Sequence, residues 1–297
     1  MDLPMKKYFI PLTSFALLFL TGAALHAGSA DRLATLDGAR VHYQSYGSGD
    51  NALVFIHGWT CDLTFWRLQA PVYQSHRSIL IDLPGHGTSD KPETEYTMDY
   101  FARAVDAVLS GEHIKKATLV GHSMGTNVII QYLRLYPEKV AALVIVDGFA
   151  PEPPENEEAL AKQTASVAKM ISIFQSPNVT AIVPAMISSM FTPRTPAELR
   201  NEIRSKMQAT PVYVLSSAMK GMLTMQPVDE RWPNVPVFAV FVKRGSTPHH
   251  QAFLSEHFDL KDVTEYAGAG HFLMMEEPDR FNMDLLNFVD GRSTASN

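Results

Sequence analysis

Cysteine is almost missing from this chain. Cys61 is the only one among 297 residues, so no internal disulfide can form and stability has to come from the core. Its place two residues after Trp59 suits a small packed side chain better than a reactive thiol. Cysteine and histidine spacings of the zinc-binding kind are also lacking. His249 and His250 stand next to each other, but no carboxylate or thiol lies close to them in sequence, so no metal or organic cofactor is expected. Basic charge is in short supply as well. With 25 Lys and Arg against 31 Asp and Glu, the net charge is −6, and the cations are scattered. A stripe able to neutralise phosphates is absent, so nucleic acid is not an expected partner. Repeats and low-complexity tracts are missing too, and 46% hydrophobic content excludes a disordered or fibrous chain.

The one long apolar run lies at the start. Lys6 and Lys7 precede the stretch from Tyr8 to Leu25, and small residues follow, ending in Gly28-Ser29-Ala30. This is the order of a secretory signal peptide. A membrane anchor is the competing reading, but Pro11, Thr13, Ser14, Thr21 and Gly22 interrupt a stretch barely long enough to cross about 30 Å of hydrocarbon. The expectation is therefore a signal peptide over residues 1–30, cut after Ala30 or Ala27, and export to the periplasm or medium. No cysteine stands near the junction to carry a lipid, so no stable membrane insertion is expected after cleavage.

Beyond that segment, strand-like and helix-like stretches alternate. Asp37-Gly38 reads as a turn leading into the strand Arg40 to Tyr46, which suggests an opening antiparallel hairpin. Short continuous apolar runs follow at Ala52 to Ile56, Ser78 to Ile81, Ala117 to Val120, Val140 to Val146, Val237 to Val242 and Asp262 to Tyr266. Buried parallel strands covered by helices on both faces need such runs. The fold class is thus α/β, a doubly wound and mostly parallel sheet. The alternation breaks after Phe149, where Pro151, Pro153 and Pro154 open a methionine-rich segment with helical patterns over Leu160 to Phe174 and Ala197 to Met207. The expected division is an α/β core from 31–148 and 233–297, with an inserted helical cap over 149–232. Met and Phe side chains would give the cap an adaptable apolar underside.

The pentapeptide Gly121-His122-Ser123-Met124-Gly125 stands between the run Ala117 to Val120 and a helix-like stretch. A G-x-S-x-G turn in that setting forces its serine into a strained conformation and aims Oγ off the sheet. The helix that follows directs its positive end at any oxyanion formed there. Five residues alone would also suit a surface turn that merely uses glycines. Further landmarks stand in order around them: His57-Gly58-Trp59, Asp82-Leu83-Pro84-Gly85-His86-Gly87 and Gly270-His271-Phe272. With these the chain resembles the α/β-hydrolase family over nearly everything after Ala30.

That resemblance implies roles for particular residues. Ser123 would be the nucleophile and His271, on a glycine-rich loop after the last strand, its general base. The backbone N–H groups of Trp59 and Met124 would form the oxyanion hole. The chain departs from the commonest family pattern at the acid. After Val237 to Val242 comes Lys243-Arg244-Gly245-Ser246-Thr247-Pro248, with no carboxylate. Asp147, closing the strand after the elbow helix, is the best substitute, ahead of Glu152, Asp259, Asp262 and Glu265. His57, His86 and His122 are expected to organise loops.

A serine nucleophile disfavours haloalkane dehalogenation and epoxide hydrolysis, whose family members carry an Asp at that place. The expected activity is hydrolysis of small to medium apolar carboxylic esters or lactones through an acyl-enzyme. Alternatives are a ligand-binding module with weak hydrolytic activity, a carbon–carbon bond hydrolase and a perhydrolase.

Overall fold

The strands that the apolar runs predict are present, and their burial follows their place in the sheet. The computed structural model describes residues 30–291, so all of the expected signal peptide except Ala30 lies outside the described residues. Strand β1 (Ala30–Leu36) and β2 (Ala39–Tyr46) form the opening hairpin. Its turn residues Asp37 and Gly38 both have positive φ, 50° and 83°, which matches a two-residue type I′ turn. The rest of the sheet is β3 (Asn51–Ile56), β4 (Ser78–Ile81), β5 (Lys116–His122), β6 (Val140–Val146), β7 (Trp232–Val242) and β8 (Phe258–Tyr266). The order across the sheet is β1-β2-β4-β3-β5-β6-β7-β8. Pairings are antiparallel as far as β2–β4 and parallel from there on. β4 is buried at every position, whereas β2 alternates buried with part-exposed residues. The first is covered on both faces and the second on one.

The direction of winding sets the site. From β3 the chain moves outward to β4 and then crosses back to β5 on the other side of β3. The connections therefore leave the carboxyl ends of β3 and β5 in opposite directions, opening a crevice between them, the usual place for ligands in such sheets.

Helices α1 (Ala70–Ser75), α2 (Met98–Gly111) and α3 (Met124–Leu135) connect the first strands. Thr97 caps α2 by accepting from the Tyr100 N–H, and the helix buries Phe101, Val105, Val108 and Leu109. Between β6 and β7 an inserted helical region contains α4 (Glu157–Phe174), α5 (Val179–Ser188), α6 (Ala197–Gln208) and α7 (Val212–Leu223). The chain closes with α8 (Thr247–His257), α9 (Leu273–Glu276) and α10 (Pro278–Val289). α4 and α6 coincide with the predicted helical patterns. α5 carries a proline that obscures it in sequence. Pro184 lies inside α5, where its missing N–H breaks a helical bond, and Pro211 caps the start of α7. β7 begins at Trp232, five residues before its predicted start, and Pro233 and Pro236 disturb its early pairing with β8. No single helix among the described residues is long and apolar enough to cross a membrane.

Candidate active site

Ser123 occupies the turn between β5 and α3 with φ 53° and ψ −119°. Positive φ in a non-glycine residue is strained and persists only where its surroundings enforce it. Here they do: the Ser123 N–H donates to the Val146 carbonyl, and the Ser123 carbonyl accepts from the Thr126 N–H. The flanking glycines answer to close packing. A Cβ on Gly125 would drive into the Ile56 carbonyl of β3, and one on Gly121 would lie 2.5 Å from the Gly125 carbonyl oxygen. The glycines thus let β3, β5 and α3 meet beneath the serine.

Asp147 directly follows β6 and is also held at positive φ, 44°. Its N–H donates to Val240 of β7, which turns the carboxylate toward the loop after β8. There Oδ2 meets Nδ1 of His271 at 2.6 Å. The resemblance implies these two residues as acid and base, and the fold brings them together. The Asp147 side chain is wholly buried and that of His271 is 16% exposed. Two further donors complete the carboxylate: the Val242 N–H at 3.1 Å from Oδ1, and the Arg244 guanidinium, 2.8 Å from Oδ1 and 3.1 Å from Oδ2. Burial opposes ionisation, but His271 and then Arg244 outweigh it and lower the carboxyl from an ordinary 3.8 to about 2. The carboxylate stays charged at any pH near neutrality.

His271 is fixed through its backbone as well. Its N–H donates to the Met190 carbonyl, and its carbonyl accepts from Nε2 of the buried His122 at 2.9 Å. The preceding Gly270 N–H donates to the Glu276 carboxylate. Burial pushes the His122 imidazole down to about 3, so it is a neutral structural donor. His57 has a similar part: Nδ1–H donates to the Gly58 carbonyl, and Nε2 accepts from the Leu83 N–H. That clamps the loop after β3 to the loop after β4. His86, also fully buried, is pushed down to about 3 and bonds the Pro84 carbonyl.

The loop after β3 passes close over the elbow. A Cβ on Gly58 would lie 3.1 Å from Cβ of Ser123, so the next residue, Trp59, starts beside the serine. Its indole points the other way, donating to the Leu215 carbonyl of α7 at 2.8 Å and meeting the Phe174 ring edge-on. The ring therefore joins the core to the inserted helices. Met124 is the first residue of α3, and N–H groups in a first helical turn have no intrahelical partner.

Ser123 and His271 line one cleft of about 470 Å³, together with Met190, Phe191, Thr192, Lys243 and Arg244. Of the sequence-selected methionines, Met207 and Met219 are buried packing residues, while Met190 reaches the cleft. Phe65, Trp66 and Phe272 are fully buried. A second hollow, of about 520 Å³, holds Cys61, His42 and Asp82. Burial pushes the Cys61 thiol well above its usual range, which fits packing and not reactivity. Asp82 there is occupied by His42 and by the N–H groups of Leu63 and Thr88.

Residues 53–284 match the sequence model of the alpha/beta hydrolase family. The chain belongs to that family. Among its relatives, a 2-hydroxy-6-oxononadienedioate/2-hydroxy-6-oxononatrienedioate hydrolase of Burkholderia vietnamiensis is 28% identical over 277 residues, covering 84% of this chain and 91% of that one. Solved structures similar to it include an N-acyl homoserine lactone degrading enzyme, at TM-score 0.69 and 24% identity over 86% of this chain and all of the other. A bromoperoxidase from Bacillus anthracis aligns at TM-score 0.73 and 19% identity over 88% of this chain and all of the other. These two structural likenesses show the fold.

Arg244 is the part of the alpha/beta hydrolase site that sequence reasoning missed. The turn after β7 holds no carboxylate, only the cations Lys243 and Arg244. The clue was available, since a basic residue at the strand end beside an acid suits pairing across neighbouring strand ends. Met190 is one of many methionines in the inserted segment, and only the fold carries it, with Phe191 and Thr192, to the His271 loop.

Proposed function

We propose that this protein is a serine-dependent hydrolase acting at a carbonyl carbon. One observation carries the reading: strained Ser123 shares a cleft with His271, whose Nδ1 lies 2.6 Å from the buried Asp147 carboxylate. A hydroxyl is a poor nucleophile near neutral pH unless a base takes its proton during attack. His271 is the base, and Asp147 holds its tautomer, Nδ1–H toward the carboxylate and Nε2 free to accept. The N–H groups of Trp59 and Met124 stabilise the oxyanion, each worth about 10² to 10³ in rate. The carbon leaving group departs with the proton that His271 took. Water, deprotonated by His271, then releases the acyl group from Ser123.

On substrate, the relative of matching length favours cleavage of a carbon–carbon bond beside a ketone, as in a 6-oxo dienedioate, over hydrolysis of a simple apolar ester or lactone. Lys243 on the cleft wall suits a carboxylate of such a compound, whereas the Arg244 guanidinium is already taken by Asp147. Esters and lactones need the same serine, base and oxyanion donors and form the second class.

The test compares a 2-hydroxy-6-oxo-dienedioate with short and medium p-nitrophenyl esters, using wild type and Ser123→Ala. Faster turnover of the oxo acid, lost by about 10⁴-fold or more in Ser123→Ala, is the expected result. Activity confined to the p-nitrophenyl substrates would assign the ester class. If Ser123→Ala retains near-normal rates, the serine mechanism is wrong.

A further inference from the structure

His249 and His250, without a companion in sequence, acquire one in the fold. Glu152, on the proline-rich segment that runs from Asp147 toward the inserted helices, reaches the first turn of α8. Its Oε2 lies 2.6 Å from Nε2 of His249, and its Oε1 lies 3.3 Å from Nδ1 of His250. One ligand atom from each residue falls within 4.8 Å of the other two. We infer that these three side chains form a binding site for a divalent transition-metal ion of the zinc type, separate from the Ser123 cleft.

The chemistry of the set selects the ion. Two imidazole nitrogens and one carboxylate oxygen suit zinc, which takes them at about 2.0–2.2 Å in a tetrahedron. Ligand atoms in such a tetrahedron stand roughly 3.4 Å apart; the 3.3 Å between Glu152 Oε1 and His250 Nδ1 is close to that, and the 2.6 Å contact of Glu152 Oε2 with His249 Nε2 opens as the His249 ring turns to the ion. Water fills the fourth position. Magnesium and calcium prefer all-oxygen shells and are excluded on the same ground.

The frame is prepared for the ion on both sides. Pro151 and Pro153 flank Glu152 and limit its backbone, and the Pro151 carbonyl accepts from the Val228 N–H where the chain returns from the inserted helices. On the other side, the His250 ring is held 4.1 Å from Phe149 and 6.0 Å from Phe241, centroid to centroid. Glu152 and His250 are largely covered, with side chains 24% and 19% exposed, whereas His249 is 62% exposed. The ion would therefore enter from the His249 side and fasten the neck of the inserted region to a core helix.

The test uses untagged protein stripped with a chelator and titrated calorimetrically with zinc sulfate near pH 7.5. One saturable site per chain is expected, with Kd at or below about 10 μM, and no heat from magnesium. Glu152→Gln and His249→Gln should each weaken zinc at least tenfold with circular dichroism unchanged. His249 is exposed enough that its replacement puts no packing at risk. Ser123→Ala should bind zinc as wild type does. Absence of a saturable zinc site, or zinc affinity unchanged in both variants, would overturn the assignment. So would loss of the site in Ser123→Ala.

Discussion

Asp147 accepts hydrogen bonds from both His271 and Arg244, and the two partners draw on its charge for different ends. Under the proposed mechanism His271 needs it during turnover, when the imidazole becomes positive. Arg244 needs it in the resting fold, where an unpaired buried carboxylate would be costly. The consequences should separate. Asp147→Asn is expected to lower kcat by about 10⁴-fold, read in the hydrolytic assay, while a fluorophosphonate still labels Ser123 slowly. Arg244→Met leaves the His271 contact and the Val242 N–H donor in place. It should cost less than about tenfold in kcat but about 1–2 kcal/mol in stability. The low end applies because the guanidinium is 41% exposed and partly screened. Urea unfolding of the variant checks the second figure. If both variants lost the same large factor in rate, the division of labour would be wrong.

At the scale of elements, the elbow depends on β3, β5 and α3 approaching within the space of a hydrogen atom. Gly125→Ala would push a methyl into the Ile56 carbonyl, with an expected loss of about 2–3 kcal/mol, measured as a fall in the urea midpoint. The attachment of the inserted helices can be weakened as well. Trp59→Phe keeps an aromatic side chain but removes both the N–H donor to the Leu215 carbonyl and part of the volume packed against Phe174, and should cost about 1–3 kcal/mol. The sheet was legible because its strands are continuous apolar runs, and the elbow because its glycines answer to local geometry. α5 was hidden because Pro184 argues against a helix that tertiary packing nevertheless stabilises. The His249, His250 and Glu152 cluster was hidden for another reason: its carboxylate comes from the far side of the inserted region, and sequence proximity carries no information about it.

For the molecule as a whole, the Asp147 carboxyl links the site to acid stability. Its folded value near 2 lies below the ordinary 3.8, so its contribution is present above about pH 4 and is lost as pH falls toward 2. That contribution is roughly 2 kcal/mol. Urea midpoints of wild type should therefore drop between pH 4 and 2 by more than those of Asp147→Asn, whose amide does not titrate. Equal drops would assign the acid sensitivity to other carboxylates.

Cys61 adds a practical consequence. It is 2% exposed, its Sγ–H points to the Trp59 carbonyl, and it is the only thiol in the sequence. A disulfide reagent can react with it only when the loop after β3 opens enough to expose the thiol. The rate of trapping therefore works as an internal clock for how often the loop that carries Trp59 opens. It needs no label, and a single absorbance trace reads it. A substrate analogue seated against Trp59 would slow that clock in proportion to the time it stays bound.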